Sequence, residues 1–378
     1  MSATPLQALH QAGQSIWLDY IDRTLVRSGE LARRIRDDAL TGMTSNPTIF
    51  EKALAQGTAY DGQLARLAAD RTPWAIFEAV ETDDVRDACD VFRPTYDAAG
   101  ARDGFVSIEV SPGAAHDSDG TVQEAQRLWR TVDRPNVMIK VPGTPEGCVA
   151  LRRLIADGIN VNVTLLFAVP AYSDVIDAYL GGLEDRARAG SPLGHVASVA
   201  SFFVSRVDSE VDKRLDAIGT PAALALRGKA AEANAVLAYA LFRERFAGPR
   251  WSALAAKGAG VQRPLWASTG TKNPAYPDVK YVESLIGPDT VNTLPPATLD
   301  AFRDHGKVAR TVDADVAGAR DALRQVEAAG ISLTAVTDKL LVEGVASFQK
   351  SFDGLLAGIE QKMTTLGRRP GTAKQSAG

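Results

Sequence analysis

The chain has 378 residues, 45% of them hydrophobic, which is enough for one large barrel or for two ordinary domains. Its 42 basic and 46 acidic side chains give a formal net charge of −4, so neither nucleic acid nor an anionic membrane is expected as a partner. No apolar stretch is long enough for a transmembrane helix, and the first residues do not resemble a signal peptide. Two cysteines without CxxC spacing are typical of a reducing compartment, so we expect a cytoplasmic location.

Short β-rich runs alternate with longer helical patterns along the chain. Strands are predicted at 15–20, 40–44, 104–110, 136–141, 160–166, 197–204, 264–268 and 290–294. Helical patterns between them include 121–132, 169–189 and 228–246, and the long stretch 47–103 contains at least two more. Strands separated by helices pair in parallel through right-handed crossovers. Eight such units predict an α/β fold, a (β/α)8 TIM barrel, although a doubly wound sheet has the same alternation.

The end of the chain departs from this alternation, because residues 311–362 contain helical patterns only. The pattern over 335–363 is amphipathic and long enough to pack across one face of the barrel. We therefore expect a single catalytic barrel domain over 1–362, which includes these additional C-terminal helices. The polar, small-residue tail over 363–378 is predicted to be disordered.

The run PNVMIKVPGTPEG, residues 135–147, places Lys140 inside a short apolar strand. A continuous hydrophobic run that ends at Pro142 and Gly143 is typical of a parallel strand buried on both faces. Desolvation there favours the neutral amine of a lysine, which is the form that attacks carbonyl groups. The alternative is that Lys140 lies at the end of the strand and extends its ammonium group to water.

Other predicted strands also carry polar side chains near their C-terminal ends. These are Asp19, Glu109, Asn160, Asn162, Thr164 and Ser201, with Asn46 and Arg206 just beyond two of the strands. Strand C-termini and the loops after them build the active site of a barrel. Each side chain has a structural explanation when taken alone, such as a turn cap for Asp19 or an arginine partner for Glu109. Their recurrence at equivalent positions favours a shared polar pocket, because a buried charge without a partner costs several kcal/mol.

One lysine, two carboxylates and several amide and hydroxyl groups are what imine chemistry requires. A neutral lysine attacks a ketone, and dehydration of the carbinolamine needs a proton from a carboxyl group or an ordered water. The protonated imine then accepts electrons as the adjacent carbon–carbon bond breaks. A second carboxylate takes the proton from the hydroxyl group at that bond.

Four segments in this order resemble the transaldolase family: TSNPTIF (44–50), IKVPGTPEG (139–147), NVNVTLLF (160–167) and SFFVSRVD (201–208). The members of that family are class I Schiff-base aldolases on a (β/α)8 barrel, and the resemblance extends from about residue 14 to residue 350. The chain length and the segment WASTGTKNPAY (266–276) resemble the longer bacterial form. The resemblance implies Schiff-base formation by Lys140, proton transfer at the cleaved bond by Asp19, water binding by Glu109 and Thr164, contacts to the dihydroxyacetone unit by Asn46, Asn162 and Ser201, and phosphate binding by Arg206.

One stretch departs from the family pattern. Shorter members carry a second phosphate-binding arginine in an Ala-Ser-Phe-Arg stretch after the seventh strand, whereas here the run from Ala267 is longer and ends at Lys272. Lys272 is expected to supply the second positive charge, although a lysine lacks the bidentate fork of arginine. The alternative is that Lys272 is a solvated loop residue.

The resemblance implies a transaldolase of the pentose phosphate pathway. Such an enzyme transfers a dihydroxyacetone unit from sedoheptulose 7-phosphate or fructose 6-phosphate to glyceraldehyde 3-phosphate or erythrose 4-phosphate. No cofactor is implied, and no metal is expected, since the four histidines are scattered singly. The expected partners are the sugar-phosphate substrates, for a chain that is a monomer or a homodimer.

Three other functions remain open on the sequence. The nearest is a fructose-6-phosphate aldolase, which uses the same lysine but releases dihydroxyacetone. Glu109 favours transfer, because that branch of the family is expected to carry a tyrosine or a glutamine at this strand position. The second is a pyridoxal-phosphate enzyme with Lys140 as the internal aldimine, which would be yellow. The third is a non-catalytic sugar-phosphate sensor, which would bind without turnover.

Overall fold

Eight parallel strands form one closed barrel in the computed structural model, which describes residues 3–45, 50, 58–67 and 71–366. The strands are β1 (Gln14–Asp19), β2 (Leu40–Thr44), β3 (Phe105–Glu109), β4 (Val137–Pro142), β5 (Val161–Leu166), β6 (Ser198–Phe203), β7 (Gln262–Ala267) and β8 (Thr290–Leu294). Each strand pairs with its neighbours in the sequence, and β1 also pairs with β8. The predicted strands and the TIM barrel are therefore confirmed, and the doubly wound alternative is wrong.

Helices connect the strands and surround the barrel. Within the described residues they are α1 (Pro5–Gln11), α2 (Arg23–Arg27), α3 (Glu30–Asp38), α4 (Asp61–Leu67), α5 (Pro73–Ala98), α6 (Ser118–Val132), α7 (Pro145–Asp157), α8 (Val169–Arg188), α9 (Ser205–Ile218), α10 (Pro221–Leu224), α11 (Ala230–Arg245), α12 (Pro249–Ala255), α13 (Lys280–Glu283), α14 (Pro296–His305), α15 (Val316–Ala328) and α16 (Leu333–Thr365), with a 3-10 helix at Pro112–His116. The predicted helices at 121–132, 169–189 and 228–246 correspond to α6, α8 and α11.

The C-terminal part of the chain is helical, as predicted. Helix α16 has 33 residues and continues to Thr365, three residues into the predicted tail over 363–378. Residues 367–378 of that tail lie outside the described residues. Among the helices that the structure describes, none is both long and apolar enough to cross a membrane.

The alternation of side chains along each strand separates two hydrophobic cores. In β4, the side chains of Val137, Ile139 and Val141 belong to the large core between the strands and the helices. Met138 belongs instead to a smaller core inside the barrel, which also contains Trp17, Tyr96, Phe105, Val199, Leu265, Ala267 and Val291. Because the period is two residues, Lys140 has the same orientation as Met138 and points into the barrel.

The same alternation places the predicted site residues on the inner face. Asp19 follows Trp17 by two residues, and Glu109 follows Phe105 by four. The inner residues of β5 and β6 include Asn162, Thr164 and Ser201, since their strand neighbours belong to the outer core. These apolar side chains of the smaller core form a plug within the barrel, and a layer of polar side chains lies above it at the C-terminal ends of the strands.

Trp17 fits inside the barrel only because β2 carries a glycine opposite it. A Cβ atom at Gly42 would lie 2.5 Å from Nε1 and Cε2 of the fully buried Trp17 indole. We expect Gly42→Ala to lower the free energy of unfolding by about 1–3 kcal/mol, the usual cost of overpacking a core. The control is Gly113→Ala, because no atom lies within 4 Å of a Cβ built there. Equal urea midpoints for the two variants would contradict this account of the plug.

Candidate active site

Lys140 lies inside the barrel mouth and not at the protein surface. The residue is 8% exposed, and its Nζ is 2.7 Å from Oε2 of Glu109 on the neighbouring strand. It also donates a hydrogen bond of 3.1 Å to the backbone oxygen of Ser45, directly after β2. The register of β3 and β4 pairs Glu109 with Lys140, so two adjacent strands fix this contact.

The Glu109 carboxyl is a proton acceptor placed against the lysine. Burial raises the pKa of Glu109, and the neighbouring Lys140 ammonium opposes that shift. A carboxyl group that prefers its neutral form accepts a proton readily, and transfer from the ammonium group leaves a nucleophilic amine. The arrangement therefore places an amine beside a carboxyl group that is able to deprotonate it.

A second buried carboxyl group, which the sequence did not indicate, lies near this pair. Glu81 on α5 is 4% exposed, and no side chain among the described residues forms a hydrogen bond with it. Burial raises the pKa of Glu81 well above its usual range, and the charge of Glu109 adds to that shift. As a single glutamate in a long helical pattern, Glu81 gave no signal in the sequence that it would lie behind the site.

Asp19 ends β1 on the same inner face. Its Oδ1 accepts a hydrogen bond of 2.9 Å from the hydroxyl of Thr44, which is also 2.8 Å from the hydroxyl of Thr293. These contacts join the ends of β1, β2 and β8. Thr44 was part of the family-like segment at 44–50, but its contact with Asp19 could be recognised only once the strands were paired.

The predicted hydroxyl-binding residues occupy different depths. Thr164 and Ser201 line the cavity above Lys140. Asn162 is fully buried beneath them, where it donates to the Ser107 hydroxyl at 3.0 Å and accepts from Ser201 at 2.6 Å. In this arrangement Asn162 orients the Ser201 hydroxyl. The predicted residue Asn46 lies outside the described residues.

Asn160, the other asparagine considered for this strand, has a structural role. Its amide donates to the backbone oxygens of Pro135 and Val137 at 2.8 and 3.0 Å. Its carbonyl oxygen accepts from the backbone N–H of Ala197 at 2.9 Å. Asn160 therefore joins the beginnings of β4, β5 and β6, at the end of the barrel opposite the cavity.

Two basic side chains lie on one wall of the cavity. Arg206, the second residue of α9, stacks on the ring of Phe203 with its guanidinium carbon 5.2 Å from the ring centroid. Burial lowers the pKa of Arg206, and the negative charge of Asp19 opposes that shift. Lys272, in the loop after β7, lines the same cavity and is exposed. Neither has an ion pair with a described carboxylate, so this wall is suited to an anion.

One cavity of about 820 Å³ lies at the C-terminal end of the barrel, and the predicted site residues that line it are Asp19, Glu109, Lys140, Thr164, Ser201, Arg206 and Lys272. The volume is in the range of sites for small organic ligands. Helix α16 crosses this end of the barrel, as predicted, and contributes Gly344, Ser347, Phe348 and Ser351 to the cavity wall. Across the described ranges, no group of three or more His, Cys, Asp or Glu side chains is arranged to hold a metal ion.

Comparison with known proteins agrees with this geometry. The sequence model of the Transaldolase/Fructose-6-phosphate aldolase family matches residues 16–359. The chain belongs to this family. The transaldolase of Thermobifida fusca (strain YX) is 52% identical to the chain over 364 residues, which are 95% of this chain and 98% of that protein.

Further relatives extend the same result across several bacteria. Transaldolase 1 of Streptomyces coelicolor is 51% identical over 370 residues, which are 97% of each chain. The transaldolase of Mycolicibacterium smegmatis is 50% identical over 353 residues, which are 93% of this chain and 95% of that protein. The family predicted from the four segments is thus confirmed, and with it an enzyme of the transaldolase type rather than a pyridoxal-phosphate enzyme or a sensor.

Proposed function

We propose that this family member transfers a dihydroxyacetone unit from sedoheptulose 7-phosphate or fructose 6-phosphate to glyceraldehyde 3-phosphate or erythrose 4-phosphate. The observation that carries the proposal is the 2.7 Å pair of Lys140 and Glu109 in a cavity that also contains Asp19 and two basic side chains. This reaction belongs to the pentose phosphate pathway. The two free cysteines, Cys89 and Cys148, support a cytoplasmic site of action.

The first stage is formation of the imine. Glu109 takes a proton from the Lys140 ammonium group, and the free amine attacks the C2 carbonyl of the ketose. The carbinolamine loses its hydroxyl group as water when a proton is returned to it, and we assign this transfer to Glu109 and to a water held by Thr164. The protonated imine then stores positive charge next to the bond that breaks.

The second stage is cleavage of the C3–C4 bond. Asp19 takes the proton of the C4 hydroxyl, C4 becomes the aldehyde carbon of the leaving aldose phosphate, and the bonding electrons pass into the imine to give an enamine. The enamine carbon then attacks the aldehyde of the acceptor, and Asp19 returns the proton to the new alkoxide. Hydrolysis of the resulting imine releases the product ketose and restores Lys140.

The basic wall supports the assignment of phosphorylated substrates. We assign the phosphate group to Arg206 and Lys272, the two basic side chains of the wall that have no described ion-pair partner. We assign a hydroxyl group of the three-carbon unit to Ser201, which lines the cavity and whose hydroxyl donates to Asn162. Asn46 is assigned to the same unit by the family resemblance alone.

Product analysis tests transfer against simple cleavage. A mixture of fructose 6-phosphate and erythrose 4-phosphate is expected to give sedoheptulose 7-phosphate and glyceraldehyde 3-phosphate in equal amounts, measured by mass spectrometry. Fructose 6-phosphate alone is expected to release only a single equivalent of glyceraldehyde 3-phosphate per active site, because the enamine then has no acceptor. Continuous release of free dihydroxyacetone would contradict transfer and would indicate a fructose-6-phosphate aldolase.

A further inference from the structure

Helix α9 carries Arg206 and also contacts both ends of the loop that carries Lys272. At the near end, the Ser205 backbone N–H donates to the oxygen of Ser268 at 3.1 Å, and the two serine hydroxyl groups are 3.0 Å apart. At the far end, the Tyr276 hydroxyl donates to Oδ2 of Asp212 at 2.6 Å. One helix thus holds the loop over residues 268–276 from both sides.

The far contact is part of a built network. Oδ1 of Asp212 accepts a hydrogen bond of 2.9 Å from the backbone N–H of Gly228, so both carboxylate oxygens have a donor. Gly228 has a φ of +71°, and a Cβ atom there would lie 2.9 Å from Cζ of Tyr276. Lys280 donates to the Gly228 oxygen at 2.8 Å, with Nζ 5.7 Å from the centroid of the Tyr276 ring. The Tyr276 ring therefore packs against Gly228, with the Lys280 ammonium group close to both.

Asp208, one turn before Asp212 on α9, also accepts a hydrogen bond from a tyrosine, but this tyrosine lies outside the loop. Oδ2 of Asp208 accepts from the Tyr281 hydroxyl at 2.8 Å, and its Oδ1 accepts from the backbone N–H of Ala231 at 2.7 Å. Both Asp208 and Tyr281 are buried, and Tyr281 belongs to α13, beyond the loop. This second pair attaches α13 to α9 and α11, whereas the Asp212–Tyr276 pair is the one that holds the loop itself.

Lys272 depends on the loop for its position. Its side chain is exposed and forms no hydrogen bond or ion pair within the described residues. It lines both the main cavity and an adjoining groove of about 350 Å³. The groove also contains the carboxylates of Asp208, Asp212 and Asp216. Lys272 thus lies at the boundary between the cavity and the groove. Because no described side chain holds its ammonium group, the position of the loop backbone determines whether this group reaches an anion in the cavity.

We propose that Tyr276, through its hydrogen bond to Asp212, is a positioning residue that holds the Lys272 ammonium beside the Arg206 guanidinium for a substrate phosphate. The proposal rests on the assigned phosphate role of Lys272. In this proposal, Tyr276 does not contact the substrate. The hydroxyl keeps the loop on the helix that carries Arg206, so that the spacing of the two charges is set by one rigid element.

The test compares the KM for fructose 6-phosphate in Tyr276→Phe, Lys272→Ala, the double variant and Tyr179→Phe. The control Tyr179→Phe removes a buried hydroxyl that donates to Gly260 at 2.6 Å, outside both the cavity and the groove. Tyr276→Phe is expected to raise KM about 3- to 10-fold and to change kcat much less, because one charge-assisted hydrogen bond is lost. The inhibition constant of inorganic phosphate should rise by the same factor. The control Tyr179→Phe should have the wild-type KM and the wild-type inhibition constant.

The double variant separates the two assignments. If Tyr276 acts through Lys272, the double variant has the KM of Lys272→Ala alone, since the second change has nothing left to displace. A wild-type KM for Tyr276→Phe beside a raised KM for Lys272→Ala would overturn the positioning role and leave the phosphate role of Lys272 intact. An equal rise caused by Tyr276→Phe with and without Lys272 would also overturn it. A wild-type KM for Lys272→Ala would overturn the phosphate role first, and the positioning role with it.

Discussion

Lys140→Met is expected to lower kcat by on the order of 10⁴-fold or more, because it removes the proposed nucleophile and keeps a side chain of similar length. Glu109, left without its partner 2.7 Å away, would then bind a proton, since burial already raises the pKa of Glu109. The fold should therefore persist, as checked by circular dichroism and the melting temperature. We expect the variant to lose catalytic activity, while the amount of folded protein stays that of the wild type.

Borohydride trapping identifies directly which lysine forms the imine. The wild-type chain, incubated with fructose 6-phosphate and reduced, is expected to carry a three-carbon adduct on the peptide that contains Lys140, located by mass spectrometry. The control Lys257→Ala changes an exposed lysine that does not line the cavity, and its adduct should be unchanged. An adduct that persists on another lysine in Lys140→Met would refute the assignment of the nucleophile.

Asp19→Asn is expected to lower kcat by about 10²- to 10⁴-fold, the usual contribution of a general base. An asparagine still accepts the 2.9 Å hydrogen bond from Thr44, so the ends of β1 and β2 remain joined. Imine formation does not require Asp19 in our scheme, whereas cleavage of the C3–C4 bond does. The trapped species should therefore change from a three-carbon adduct to the intact six-carbon phosphate on Lys140.

Glu109→Gln provides the contrast, because it should slow the appearance of any adduct and leave the three-carbon form as the one that accumulates. The mass of the adduct thus separates the two carboxyl groups, even where both variants have lost turnover. If Asp19→Asn accumulated the three-carbon adduct at the wild-type rate, another group would have to take the C4 proton. Thr44, which contacts Asp19, would then be the first residue to reconsider.

The sequence was sufficient to predict the residues that point into the barrel, and the reason is the two-residue period of a strand. Once β4 is recognised, Val137, Ile139 and Val141 must face the helices, and Lys140 must face inward with Met138. The same rule selects the inner residues of the other strands. It does not give the depth of each side chain in the barrel: Asn162 lies buried beneath Ser201, and its contact with substrate stays a prediction.

Contacts between distant parts of the chain could not be predicted in this way. The sequence indicates that α16 is amphipathic, but its position over the barrel depends on packing, so Ser347 and Ser351 could not be assigned to the cavity wall. The burial of Glu81 could not be predicted for the same reason, since only the packing of α5 on the barrel buries this side chain near Glu109. Tyr276 was part of a family-like segment, but its partner Asp212 is 64 residues away.

The joining of β1, β2 and β8 through Asp19, Thr44 and Thr293 has a consequence for folding. Thr44 and Thr293 are separated by 249 residues, and their contact forms only when the first and last strands meet. A chain with only the first seven strands in place would lack the Thr293 hydroxyl beside Thr44, although the pair of Lys140 and Glu109 would be complete. We therefore expect that the contact of Lys140 with Glu109, which joins neighbouring strands, requires no closure of the ring during refolding, whereas recovery of turnover does.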